Sequence, residues 1–136
     1  MMYLLDTNVI SETIKKIPNQ KVLDFLISID ADKFALSVIT LGEIRKVAEK
    51  LQDQLKKQKI IYWLEVDLTK RFYEKIINID SEIADKWGYI SSMNNILAID
   101  ALIAASAIVH NHKLITRNVK DFETIKGLEV INPWDM

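Results

Sequence analysis

The sequence contains no cysteine. That excludes disulfide frameworks, thiolate zinc sites and cysteine nucleophiles, and it suits a reducing cytoplasm. Only 3 glycines and 2 prolines occur in 136 residues, too few for long flexible linkers or for the many turns of an all-β fold. No long hydrophobic run is present. The most apolar stretch, Ile96 to Val109, is too short to span a bilayer and carries Asp100. The opening Met1-Met2-Tyr3-Leu4-Leu5-Asp6 has no basic segment ahead of its short apolar run and does not read as a signal peptide. The chain also lacks a charge excess. Its formal net charge is −1, whereas nucleic-acid binders draw on a basic surplus. A chain of this balance that handles RNA needs a local basic face or a bound cation. The expectation is a soluble, cytoplasmic protein without a membrane anchor.

What remains is a chain 49% hydrophobic and 27% charged, enough to build a sizeable core in one domain over residues 1–136. Short apolar runs alternate with helical patterns. Tyr3-Leu4-Leu5 reads as a buried strand, and Val22, Phe25, Leu26 and Ile29 give helical spacing within a segment from Ile14 to Ile29. Phe34 to Val38 is a second strand. Thr40 opens a long helix with Leu41, Ile44, Val47, Ala48 and Leu51 on one face. A helix from Ile60 to about Lys75 leads to a third strand, Ile76 to Ile79, and Asp80 caps the next helix. Ile96 to His110 is apolar almost all round and is expected to be deeply buried. Lys113 to Thr116 and Leu128 to Ile131 complete five strands. Strands alternating with helices predict a parallel α/β sheet covered on both faces, and ligand sites in such folds lie beyond the carboxyl ends of the strands.

Four acids draw attention there. Asp6 follows the first strand directly. Glu43 lies five residues after Val38 and Asp121 five residues after Thr116, each in the first turn of a helix. Asp100 is the sole charge in the run from Ile96 to Val109. Each has an ordinary alternative. Thr40-Leu41-Gly42-Glu43 fits a capping box, Asn118 could cap the turn holding Asp121, and Asp6 could cap the helix near Asn8. Asp100 is harder to dismiss, because a buried carboxylate must be paired, neutralised or metal-bound. Taken together, the four offer the oxygen ligands that Mg²⁺ or Mn²⁺ prefers. A cation held there would neutralise phosphate charge and lower the pKa of its water, the two effects phosphodiester hydrolysis needs. Arg45 and Lys46, which sit closest to Glu43, and Arg117, which flanks Asn118, are the candidates for RNA contact. For the basic stretch Arg45 to Lys59 as a whole, a solvated helix face is the simpler reading.

Four ordered segments carry a family resemblance: Leu4-Leu5-Asp6-Thr7-Asn8-Val9-Ile10-Ser11-Glu12, Ser37-Val38-Ile39-Thr40-Leu41-Gly42-Glu43-Ile44, Asp100-Ala101-Leu102-Ile103-Ala104-Ala105 and Thr116-Arg117-Asn118-Val119-Lys120-Asp121-Phe122, followed by Val130-Ile131-Asn132-Pro133-Trp134. In these the chain resembles the PIN domain, and specifically the VapC-type toxins of bacterial toxin–antitoxin systems. The resemblance implies an α/β/α sandwich with a five-stranded parallel sheet. It implies Mg²⁺- or Mn²⁺-dependent endoribonuclease activity with Asp6, Glu43, Asp100 and Asp121 as the acidic quartet. Thr7, Thr116 and Asn118 would give polar support near the metal. It further implies a homodimer and a cognate antitoxin occupying the acidic groove, within a larger toxin–antitoxin assembly.

Two other readings compete. A phosphoryl-accepting receiver-like domain wants adjacent acids after the first strand, where this chain has Asp6 followed by Thr7. A catalytically inactive PIN-like module, binding RNA or protein, would be expected to lack acids of the quartet. The tripeptide His110-Asn111-His112 does not match HNH nucleases, whose three letters are dispersed through a ββα motif. Its histidines read as a helix end.

Overall fold

The structure is a computed structural model describing residues 1–136. Strand β1 (Tyr3–Leu5) is followed by helices α1 (Thr7–Glu12) and α2 (Gln20–Ile27). Strand β2 (Phe34–Ser37) leads into α3 (Val38–Glu49) and α4 (Gln54–Tyr62). A π-helical turn over Trp63–Leu68 and the short α5 (Thr69–Arg71) lead to β3 (Ile76–Ile77). Helices α6 (Ser81–Met93) and α7 (Ala98–Val109) precede β4 (Lys113–Ile115), and β5 (Val130–Ile131) ends the sheet. All four strand pairings are parallel, in the order β3-β2-β1-β4-β5. No helix is long and apolar enough to cross a membrane.

The period-two alternation of the strands divides the core. Leu4, Ala35, Ile77 and Leu114 face one side, with Ile83 and Ile90 of α6 and the alanines of α7. Leu5, Phe34, Leu36 and Ile115 face the other, with Val9, Val22, Phe25, Ile44 and Leu68. Helices therefore cover both faces, as the near-continuous apolar strands require. Small residues line the inner face of α7, where Ala101, Ala104, Ala105 and Ala107 are fully buried. They let this helix lie close against both the sheet and α6.

Several boundaries differ from the sequence reading, each for a local reason. The segment expected to be helical from Ile14 is helical only from Gln20. Pro18 disfavours helical backbone at the residue before it, Ile17 is 86% exposed, and Asn19 supplies the cap by accepting from the N–H groups of Lys21 and Val22. Helix α3 starts at Val38, not Thr40, because Ser37 accepts from Ile39 N–H at 3.1 Å. The helix expected from Ile60 begins at Gln54, where Asp53 accepts from Lys56 N–H, and it breaks into the π turn at Trp63. β3 and β5 are two residues each, shorter than expected. Asp80 does cap α6, accepting from Ile83 N–H at 2.9 Å. Helix α7 closes with Asn111 at φ 56°. The N–H of Asn111 donates to Ile108 O, and that of His112 to Ala107 O, a Schellman closure that asparagine tolerates better than most residues.

This order places the site. The chain builds outward from β1 through β2 to β3, then returns to the other side of β1 for β4 and β5. The reversal lies between β1 and β4, the kind of switch point where an open parallel sheet splays its loops.

Candidate active site

Strand pairing runs one residue past the end of β1. The N–H of Asp6 donates to Ile115 O at 2.9 Å, and that of Thr116 to Ile131 O at 3.0 Å. Asp6 and Thr116 are thus set side by side at the carboxyl edge of the two central strands. Asp6 is 6% exposed and Thr116 fully buried. The Thr116 hydroxyl donates to Asp6 Oδ2 at 2.8 Å, and Thr7 N–H donates to Oδ1 at 2.8 Å. Asp6 therefore caps α1 and is also fixed in rotamer from the neighbouring strand.

Asn8 was not singled out by sequence, yet it is the hinge of this network. Its Nδ2 donates to Thr116 Oγ1 at 3.2 Å and lies 3.5 Å from Asp6 Oδ2, while its Oδ1 accepts from Arg117 N–H at 3.2 Å. The Asp-Thr-Asn tripeptide was visible. That its third residue reaches across 108 positions was not. Asn118, expected as a helix cap, makes no side-chain cap bond. Its backbone N–H donates to Thr116 Oγ1 at 3.1 Å, so it supports Thr116 through the main chain. The turn it precedes, Val119–Asp121, is a single 3₁₀ turn, and Asp121 is exposed at its end.

Glu43 does not close a capping box. Ser37 holds the cap, which puts Glu43 in the second turn of α3, beyond reach of the Thr40 N–H. Its carboxylate instead accepts from the Thr7 hydroxyl at 2.6 Å. The fully buried Thr40 places its Oγ1 3.0 Å from that same hydroxyl. The single hydroxyl proton of Thr7 goes to the carboxylate, the stronger acceptor. Thr7 thus bridges the strand-one and helix-three acids, and Thr40 is a second residue that sequence reasoning missed.

Asp100 lies in the first turn of α7. The expectation of deep burial holds for one face of the helix, Ala101 and Ile103 to Ala107, but Ile108 and Val109 are half-buried, His110 is exposed, and Asp100 itself is half-buried at the mouth of the site, beside exposed Leu97 and Ile99. A helix N-terminus favours a carboxylate there, yet its pKa is pushed up to about 6. Burial is the main cause, followed by the charges of Asp6, Asp121 and Glu43. Asp6 is also raised, again chiefly by burial. The hydrogen bonds from Thr116 and Thr7 oppose the rise, and the charges of Glu43 and Asp121 reinforce it. The four carboxylates therefore share one electrostatic neighbourhood.

None of them is neutralised by the protein. The five ion pairs of the structure involve Glu12, Glu49, Glu65 and Glu129, and none of the four acids. No three acids stand at chelating separation as placed. All-oxygen donors, mutual repulsion and the absence of a Lys or Arg partner suit a hard divalent cation, which would lower both raised pKa values on binding.

Beside Glu43 a cleft of about 760 Å³ opens between α1, α3 and the π turn. Ile14, Ile39, Val47, Trp63 and Ile99 give it an apolar lining, and Lys46 and Lys50 stand on its rim. Arg45 is turned away to an exposed pair of ion bridges, with Glu49 at 2.7 Å and Glu65 at 2.9 Å. Arg117 lies over the ring of Trp134, 5.2 Å from its centroid.

Comparison with known proteins places these residues in context. The PIN domain family profile matches residues 3–128. The chain belongs to the PIN domain family. Toxin FitB of Neisseria gonorrhoeae is 34% identical to this PIN domain over 138 residues, covering 98% of this chain and 99% of that protein. Ribonuclease VapC2 of Rickettsia felis is 31% identical over 140 residues, covering 99% of each. Among solved structures, that of FitAcB from Neisseria gonorrhoeae superposes with a TM-score of 0.92 at 34% identity, over 99% of this chain and 100% of that one. A toxin–antitoxin complex from Klebsiella pneumoniae gives 0.73 at 30% identity, over 96% and 97%. The α/β/α arrangement of this PIN domain is thus shared along the full length of its relatives.

Proposed function

We propose that this protein is a divalent-cation-dependent endoribonuclease and the toxin of a type II toxin–antitoxin pair. The observation that carries the reading is a set of four carboxylates at the switch point of the sheet, with no cation of the protein among them. Kinship with a VapC ribonuclease and with toxin FitB supports it. Asp6, Asp100 and Asp121 would hold Mg²⁺ or Mn²⁺, with Glu43 completing the acidic set. When bound, the ion would supply charge neutralisation at the phosphate and activation of water. The chain's own residues do the rest. Thr116, Thr7 and Asn8 fix the Asp6 rotamer, and Asn118 steadies Thr116. Thr7 aims Glu43. Lys46, on the cleft rim and without an acid partner, is a cation available to the RNA backbone. Arg45 would first have to leave Glu49 and Glu65.

The partner proposed is a cognate antitoxin, with a segment seated in the apolar cleft beside Glu43 so that it blocks RNA. Homodimerisation, a larger toxin–antitoxin assembly and a cytoplasmic site of action belong to the same reading. Incubating antitoxin-free protein with varied RNAs and Mg²⁺ or Mn²⁺ tests it. Cleavage is expected, lost with EDTA and restored by excess cation. Failure to cleave any RNA under those conditions would favour the inactive binding module instead.

Thr116→Val isolates the support. Valine keeps the shape and removes the hydroxyl, leaving Asp6 Oδ2 and Asn8 Nδ2 without it. Cation affinity, read by titration calorimetry, is expected to fall about ten- to a hundredfold, with a stability loss of about 1 kcal/mol. Unchanged affinity would show that Asp6 needs no support from the neighbouring strand.

A further inference from the structure

Arg117 is held in place more thoroughly than an exposed arginine needs to be. It follows Thr116, whose hydroxyl bonds to Asp6, so its root lies one residue from the acidic site. Its backbone is pinned from both sides: the N–H donates to Asn8 Oδ1 at 3.2 Å, and the carbonyl accepts from Asn132 Nδ2 at 3.3 Å. Asn132 Oδ1 in turn accepts from the backbone N–H of Trp134 at 2.9 Å, so one side chain ties the loop after β4 to the main chain that carries the indole. The Arg117 Cζ lies 5.2 Å from the Trp134 ring centroid. The indole is half-buried, and its 3₁₀ turn (Pro133–Asp135) packs against α2.

The guanidinium has no carboxylate of its own. It forms none of the ion pairs. Glu12, whose charge it feels from beyond ion-pair reach, is already taken by Lys15 at 2.8 Å and by Asn19 N–H at 2.8 Å. A guanidinium held over an aromatic face by a cation–π contact keeps its N–H edges free, and a free guanidinium edge can grip a phosphate with two bonds.

We propose that Trp134, tied in by Asn132, is a positioning residue that presents Arg117 to a backbone phosphate of single-stranded RNA next to the acidic site. The inference rests on the ribonuclease reading. It assigns the carboxyl-terminal Asn132-Pro133-Trp134 segment a role in substrate binding. Arg117 contributes binding common to ground and transition states, so its loss acts on KM and leaves kcat in place.

The test is steady-state cleavage of a short single-stranded oligoribonucleotide, carrying a site mapped with the wild-type protein, in Mn²⁺. Arg117→Gln is expected to raise KM about tenfold with kcat within about twofold. Trp134→Leu should raise KM about three- to fivefold, the worth of an exposed cation–π contact. Trp134→Phe should restore KM to within about twofold, since it keeps an aromatic face. The double variant Arg117→Gln/Trp134→Leu should be no worse than Arg117→Gln alone. Arg117→Gln should also lower the slope of log affinity against log salt by about 0.7, one phosphate contact to a single strand. Additive effects in the double variant, equal losses for Phe and Leu, or a fall in kcat at constant KM would each overturn the proposal and leave Trp134 a packing residue. If Trp134→Leu fails to fold, Arg117→Lys takes its place: it keeps the charge but not the stacked plane, and a several-fold rise in KM is expected. If the wild type cleaves nothing, the ribonuclease reading falls. RNA affinity of the same variants by fluorescence anisotropy then still decides the Arg117–Trp134 pairing.

Discussion

Replacing Asp6 by Asn is expected to lower RNA cleavage by about a thousandfold or more while leaving the protein folded. The substitution keeps the shape of the side chain. Its remaining carbonyl oxygen can still accept from Thr7 N–H and cap α1. The amide that replaces Oδ2 meets a Thr116 hydroxyl whose oxygen already accepts from Asn8 Nδ2 and Asn118 N–H, so one of those bonds gives way at a cost of about 1 kcal/mol, which relief of the buried charge offsets. What disappears is the charge, and with it the carboxylate that both central strands hold in place. Stability should not suffer, because Asp6 is buried and its ionised form is disfavoured there. In the cation-free state the variant's melting temperature should match or exceed that of the wild type. Circular dichroism and a cleavage assay with Mn²⁺ check both halves. Wild-type activity in this variant would remove Asp6 from the site.

The second large effect is on pH. Asp100 titrates at about 6, so at pH 5 about one protein in ten carries it ionised. Cation binding requires the ionised form. Apparent affinity for Mn²⁺ is therefore expected to fall about tenfold between pH 7.5 and pH 5, and further as Asp6, also raised, takes up a proton. Stability of the cation-free protein should move the other way. In the fold Asp100 holds its proton to higher pH than an ordinary aspartate, whose pKa is 3.8, so between 3.8 and about 6 the folded state binds more protons than the unfolded chain. Its contribution is most favourable below about pH 4 and is lost as pH rises through 6. Asp100→Asn should abolish this dependence. At pH 7.5 it should raise the cation-free melting temperature by about 3 °C, a figure discounted for the half-exposed position. A cation titration that stays flat across this range would mean that Asp100 is not a ligand.

Much of this was legible in the residues. Buried strands announce themselves as short apolar runs, so the sequence pattern alone puts Asp6 at a strand end. Asp80 before an apolar helical pattern was a readable cap. Other features turned on competition that sequence does not resolve. Ser37 and Thr40 are both good caps three residues apart, and Ser37 wins because the strand delivers it buried at the helix start. That shift moved Glu43 from a helix-terminal role to a partner of Thr7. The segment after Glu12 has helical apolar spacing, but Pro18 and Asn19 decide where the helix begins. The roles of Asn8 and Thr40 depend on contacts across 108 and 33 positions, which no local pattern encodes. Asp100 stands out in the sequence as an acid that needs an explanation, but its place in the first turn of α7 gives it more solvent than its apolar neighbours suggest.

The order of strands has a further consequence, in time. Asp6 leaves the ribosome early, and β1 then waits for β4, which must come to lie beside it before Thr116 can lock the carboxylate. Asp121 emerges later still. A chain interrupted before about residue 116 can form β1, β2 and β3 but lacks the strand that completes the acidic cluster. Pairing across so many residues is also among the slower steps of folding. On the proposed site, cleavage therefore requires a chain synthesised past Asp121, and a copy truncated before β4 is expected to cleave no RNA.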